Sequence, residues 1–195
     1  MVETGRCPWA LSDEALIKYH DEEWGVPLHD DIRLFEFLAL DIFQAGLSWR
    51  TILKKRENFR KAFHDFDFAT IANYNKKEIE DLLTNSGIVR NRLKIEAVVN
   101  NAKCMLRLVE KRGSFDEYLW SYVNGKPIVN NYRTYGEVPA HTSLSDLISA
   151  DLRKEGFNFV GSIIIYSFLQ AAGIINDHIL TCFRHQQIQE NYYEK

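Results

Sequence analysis

The stretch Asp41-Ile42-Phe43-Gln44-Ala45-Gly46-Leu47-Ser48-Trp49 gathers the residue types for one kind of chemistry. A carboxylate closes an apolar helical run, a glycine-centred turn follows, and then come a leucine and a tryptophan. A carboxylate beside a tryptophan can hold a flat, nitrogen-rich ring, the one by hydrogen bonds and the other by stacking. A leucine behind a glycine can serve as a wedge between stacked rings. The next segment is basic: Arg50, Lys54, Lys55, Arg56, Arg60 and Lys61 are opposed only by Glu57. Further clusters are Arg90, Arg92 and Lys94, and Arg153 with Lys154. A charge run is ordinarily a solvated helix face, so no single cluster establishes a nucleic-acid surface.

The chain has three cysteines and six histidines. Cys7 and His20 stand near one end; His178 and Cys182, near the other, are read as sharing one face of a helix. Together they supply two thiolates and two imidazoles, a closed tetrahedral set suited to structural zinc, although spacing alone leaves the pairing of such distant halves open. Cys104 falls mid-helix and reads as an ordinary thiol. A disulfide framework is not expected from so few cysteines. The pairing of His-x-Glu with Cys-x-x-Cys that marks zinc deaminases is absent.

The elements that must position these residues read as all-α. Apolar periodicity and caps predict helices over residues 13–22 with Ser12 as N-cap, 31–40, 47–56, and 76–83. The last of these has Asn75 and Glu78 as a capping box. Further helices are expected over 90–111, 115–123, 144–155, 160–172 and 177–183. In the 90–111 helix, Ile95, Val98, Val99, Ala102, Leu106 and Val109 are expected to face inward. Two glycine turns precede helices, Ser86-Gly87-Ile88 and Phe159-Val160-Gly161, and either could bring backbone N–H groups to a phosphate. Residues 124–141 read as a long loop and the tail after Arg184 as frayed.

At 195 residues, 46% hydrophobic and 26% charged, the composition is that of an ordinary globular protein with a real core. The net charge of −3 argues mildly against nonspecific binding to nucleic acid. No apolar run approaches membrane-spanning length. No signal peptide is evident, so a cytoplasmic protein is expected, and a monomer is the default because nothing in the sequence demands a partner.

Several blocks then match one family in order. They are Cys7-Pro8-Trp9, Tyr19-His20-Asp21-Glu22-Glu23-Trp24-Gly25-Val26-Pro27, Gln44-Ala45-Gly46-Leu47-Ser48-Trp49 and Trp120-Ser121-Tyr122-Val123-Asn124. The segment 157–173 and Asn176-Asp177-His178 with Cys182 follow. The chain resembles the 3-methyladenine DNA glycosylase I family, of the helix-hairpin-helix glycosylase superfamily. The resemblance implies a single glycosylase domain over residues 1–195, with two helical lobes and zinc joining the N- and C-terminal segments. It implies excision of 3-methyladenine from alkylated double-stranded DNA, with the free base as product and no catalytic metal.

By position, the resemblance implies that Asp41 contacts a flipped base, Tyr19 meets its edge, Trp49 stacks on it and Trp9 lines the pocket. It further implies DNA contacts at Gly46 and Leu47 and at the hairpin residues Val160, Gly161 and Ser162, and zinc on Cys7, His20, His178 and Cys182. Trp24 and Trp120 are read as core. The chain departs from the best-known members in carrying Asp41 for their glutamate, the bulky Phe43, and Leu16 where some have an aromatic. The altered pocket leaves two alternatives: a glycosylase for another alkylpurine, or a zinc-stapled damage-binding module without activity.

Overall fold

The computed structural model describes residues 5–193, so the expected domain bounds at 1 and 195 lie outside the described residues. Ten helices are described: α1 (Glu14–Glu22), α2 (Asp31–Gln44), α3 (Trp49–Ala62), α4 (Phe68–Ile71), α5 (Lys76–Thr84), α6 (Arg92–Arg112), α7 (Phe115–Ser121), α8 (Ser143–Lys154), α9 (Ser162–Ala171) and α10 (Phe183–Ile188). Strands β1 (Ile128–Val129) and β2 (Ile175–Asn176) form a small parallel pair, with Ile128 opposite Ile175. The all-α expectation therefore holds, apart from this two-residue ladder.

Helix α2 is the hub. Every residue from Leu34 to Phe43 is buried, and α3, α6, α7 and α9 all pack on it. Asp30 caps its start by accepting from the Arg33 amide at 2.8 Å. Its C-terminal carbonyls have a dedicated partner: the buried Lys94 ammonium, on α6, donates to Phe43 O at 3.0 Å and to Ala45 O. Gly46, at φ +79, then turns the chain. The helix passes its predicted end at residue 40 because residues 41–43 continue its buried face.

Other boundaries move for local reasons. Asp13 rather than Ser12 caps α1, accepting from the Ala15 amide at 3.0 Å, because Ser12 belongs to the 3-10 turn Pro8–Ser12. Ser48 caps α3 and Asn91 caps α6. The Asn75–Glu78 capping box is present. On α6, Leu106 is exposed, while Met105 and Leu108 face the core.

The expected helix over 177–183 is absent. Asn176 Oδ1 accepts from the His178 amide at 3.2 Å, an asparagine turn that competes with helical bonding. Residues 177–182 run as a loop into α10. The segment after Arg184 is not frayed at its start: Arg184, His185 and Ile188 are buried. Among the described residues no helix is long and apolar enough to cross a membrane.

The segment before α2 lies tightly on the end of α9. Gly25 N donates to Gln170 O at 3.0 Å and Leu28 N to Ala172 O at 3.1 Å. Gly173, at φ +68, allows this, since a Cβ there would meet the Val26 carbonyl carbon at 2.2 Å. Gly173→Ala combines a left-handed backbone with a backbone clash, and should destabilise the fold by about 3 kcal/mol or more. Urea unfolding checks this; an unchanged midpoint would contradict the close approach.

Candidate active site and metal cluster

A cavity of about 170 Å³ opens at the C-terminal end of α2. Its walls are Trp9, Tyr19, Trp24, Asp41, Gln44, Trp49, Tyr135, Ser167 and Gln170. All four residues expected to handle a base are thus together: Asp41 from α2, Tyr19 from α1, Trp49 from the first turn of α3 and Trp9 from the N-terminal 3-10 turn. The Tyr19 ring lies 5.2 Å from Trp49, and Trp9 meets Trp24 edge-on at 5.0 Å. Trp24 is buried as expected, yet it is also a wall of the cavity, as are Gln44 and Gln170. The signal that could have found them is their place inside the matched motifs.

Asp41 is 5% exposed, and its Oδ2 finds no hydrogen-bond partner among the described residues. Burial holds its carboxyl well above the ordinary carboxylate range. Burial, and then the neighbouring Asp41 charge, also raises Tyr19 well above the usual phenol. The indole N–H groups of Trp9 and Trp49 are likewise buried and unpartnered. Buried polar groups are ordinarily paired, so this concentration marks a site that takes a polar, flat ligand.

Cys7, His20, His178 and Cys182 are all buried, with their ligand atoms within 4.8 Å of one another. Cys182 Sγ lies 3.4 Å from both His20 Nε2 and His178 Nδ1, and Cys7 Sγ lies 3.6 Å from His178 Nδ1. The neighbouring Cys7 thiol and the two imidazoles push Cys182 toward the thiolate. The outer nitrogens are held as well: His20 Nδ1 by Asp21 at 2.8 Å, and His178 Nε2 by the Trp24 carbonyl at 2.9 Å. Two sulfurs, two nitrogens and fixed ring orientations fit a closed tetrahedral zinc. The ends also pair directly, Gly5 N donating to Thr181 O and Phe183 N to Gly5 O, each at 3.0 Å. His178 and Cys182 reach the cluster from a loop, so the helix-face reading of that pair is corrected.

The family model described as Methyladenine glycosylase matches residues 9–185. The chain belongs to the methyladenine glycosylase family. It is 46% identical over 177 residues to the DNA-3-methyladenine glycosylase 1 of Escherichia coli strain K12, an alignment covering 91% of this chain and 95% of that one. A crystal structure of a 3-methyladenine DNA glycosylase I superposes with TM-score 0.88 at 47% identity, covering 92% of this chain and 98% of that one. The Staphylococcus aureus 3-methyladenine DNA glycosylase I, whose structure addresses 3-methyladenine recognition, gives TM-score 0.89 at 40% identity, covering 93% and 96%.

The remaining predicted residues of this family member divide. Leu47 is 42% exposed on the Gly46 turn, which Gln44 Nε2 pins by donating to Leu47 O at 2.9 Å. Gly161 and Ser162 border the same open groove as Gly46. Val160 does not: its side chain is 1% exposed and its carbonyl accepts from Ser149 Oγ at 2.6 Å. The exposed side chains of that hairpin are Phe159 and Ile163.

Most of the basic clusters are used internally. Arg56 and Arg60 bind Glu36 at 2.7 and 2.8 Å, Arg56 also binds Glu23, and Lys54 binds Asp13. Arg92 binds Glu80, and Lys154 binds Asp151. Arg50 stays exposed beside Trp49, and the Arg153 guanidinium lies near Gly161.

An acid whose pKa is raised on folding imposes a penalty that begins above its unfolded pKa (~4) and grows until the pH passes the folded value. Asp41→Asn removes that penalty. The variant should therefore be more stable than the parent at pH 8, with the gap closing by about pH 3. Equal denaturation midpoints at both pH values would contradict the buried, unpaired carboxyl.

Proposed function

We propose that this chain is a monofunctional DNA glycosylase that flips 3-methyladenine out of alkylated duplex DNA and hydrolyses its N-glycosidic bond, starting base excision repair. The observation that carries this reading is the unpartnered Asp41 carboxyl set among the rings of Tyr19, Trp49 and Trp9. Base flipping costs a few kcal/mol, least for a damaged base. Leu47, on its pinned turn, is the plug for the vacated stack. The helices α8 and α9 with their hairpin act as a helix-hairpin-helix unit, the amides around Gly161 and Ser162 meeting the phosphate backbone.

An alkylated adenine carries positive charge, and that charge makes it a good leaving group. Aromatic faces favour the cation. Asp41 adds discrimination. Its burial opposes ionisation, and a nearby positive charge reverses that preference. A cationic base therefore draws out the carboxylate and is held by it, whereas neutral adenine does not. Among the described residues no lysine lines the cavity, so the route is hydrolysis to an abasic site rather than a Schiff base. Cys7, His20, His178 and Cys182 would hold a zinc ion; with all four positions filled by protein, it stabilises the fold by joining the chain's two ends. The protein acts as a monomer.

Mass spectrometry of bases freed from methylated duplex DNA tests the activity. The parent should release 3-methyladenine with little 7-methylguanine, and Asp41→Asn should release none while remaining folded. Full activity in that variant would remove the carboxylate from the mechanism, and no release by folded parent would favour the binding module or a glycosylase for another lesion. Metal analysis of untagged protein should give one zinc per chain, and chelation should lower the melting temperature. A metal-free protein of unchanged stability would exclude the zinc staple.

A further inference from the structure

Asp177, 1% exposed, gathers three donors in the interior. Asn130 Nδ2 reaches Oδ1 at 2.7 Å, while Gln170 Nε2, at 2.7 Å, and the Tyr166 hydroxyl both reach Oδ2. A carboxylate only accepts. Reversing the Gln170 amide would set its oxygen against the carboxylate in a buried site and leave both unpaired, which is costly. Chemistry therefore fixes the amide orientation. The backbone is fixed as well, since Gln170 O accepts from Gly25 N at 3.0 Å and from Gly173 N at 3.2 Å. With the nitrogen committed to Asp177, Oε1 occupies the other side of the amide. Gln170 lines the cavity that holds Asp41, and among the described residues nothing donates to its Oε1.

We propose that Gln170 determines specificity as a locked hydrogen-bond acceptor, with Asp177 as its positioning residue. This inference rests on the reading of the cavity as an alkylpurine site. The locked acceptor selects a purine that offers an amino N–H and rejects one that offers a carbonyl at the same edge. Asp41 cannot make that choice alone, because a carboxyl able to keep its proton can also donate to a carbonyl. Sites built around a fixed partner reject analogues by leaving buried polar groups unpaired.

The test uses duplex DNA carrying both 3-methyladenine and 3-methylguanine, with the release rate of each followed by mass spectrometry. Asp177→Asn offers a donor as well as an acceptor, so Gln170 becomes free to turn. The rate ratio of 3-methylguanine to 3-methyladenine should rise roughly tenfold. Metal content and melting profile, measured alongside, separate this from damage to the neighbouring His178. Gln170→Leu, close in size and without the acceptor, should lower 3-methyladenine release about tenfold and narrow the discrimination similarly; it carries the test if Asp177→Asn does not fold. An unchanged ratio in the folded variants, whatever their absolute rates, would overturn the proposal and leave the activity standing. A parent that releases neither base would remove both.

Discussion

Keeping an oxygen of Asp41 buried and unpartnered costs on the order of 1–3 kcal/mol, and the packing around α2 makes that cost tolerable. Ten consecutive buried residues, Leu34 to Phe43, deliver the carboxyl to the cavity wall. A helix buried on all sides leaves its last carbonyls without water, and Lys94 supplies the missing donor at Phe43 and Ala45. The placement of that ammonium matters for chemistry. Had Lys94 paired with Asp41, the carboxyl would be a permanent, compensated anion, and a cationic base would gain little by entering. Directed at carbonyls instead, Lys94 satisfies the helix end and leaves Asp41 responsive.

The aromatic walls of the cavity depend on the cysteine–histidine cluster through the backbone. Cys7 stands two residues before Trp9, and Tyr19 immediately precedes His20. Trp24 gives its carbonyl to His178 and packs on that ring at 4.5 Å, while Trp9 packs on His20 at 5.4 Å. Whatever draws these four side chains together also sets the three indole and phenol faces nearest the N-terminus. The chain ends are thus joined at the point where the pocket wall would otherwise be held only by one short helix and a 3-10 turn.

The parts of this architecture legible in the sequence were those with local causes. The Asn75–Glu78 box, the apolar stripe of α6 and the glycine turn at Gly46 follow from neighbouring residues. Features that depend on contacts distant in sequence were not legible. Residues 177–182 look helical by spacing, but the demands of Asp177's three partners and of the ligand cluster override that pattern. The basic stretch from Arg50 to Lys61 looks like a phosphate-binding face, yet Arg56 and Arg60 find Glu36, twenty or more residues away in the chain. Val160 was placed on the surface by motif position, although its alternation with exposed Phe159 carries it into the core. Asp41, Tyr19, Trp49 and Trp9, expected from a motif to handle a base, do meet at one cavity, and Gln170 joins them there through its bond to Asp177, which its own segment does not reveal.

The charge distribution bears on how such a protein selects its substrate. The net charge is −3, and the local clusters are largely spent on carboxylates of the same chain, Arg56 on buried Glu36 and Arg92 on Glu80 at the surface. Two exposed guanidinium groups stand where a duplex would pass on the proposed reading: Arg50 beside Trp49 and Arg153 beside Gly161. Phosphate contacts supply affinity without sequence or lesion information. A surface with few of them holds undamaged DNA weakly, so a larger share of the total binding free energy must come from the extruded base. That arrangement favours discrimination. On the proposed reading, every kcal/mol gained at Asp41, Trp49 and Gln170 is gained only when the right base is in the pocket, whereas a more basic surface would raise binding to intact and damaged DNA alike.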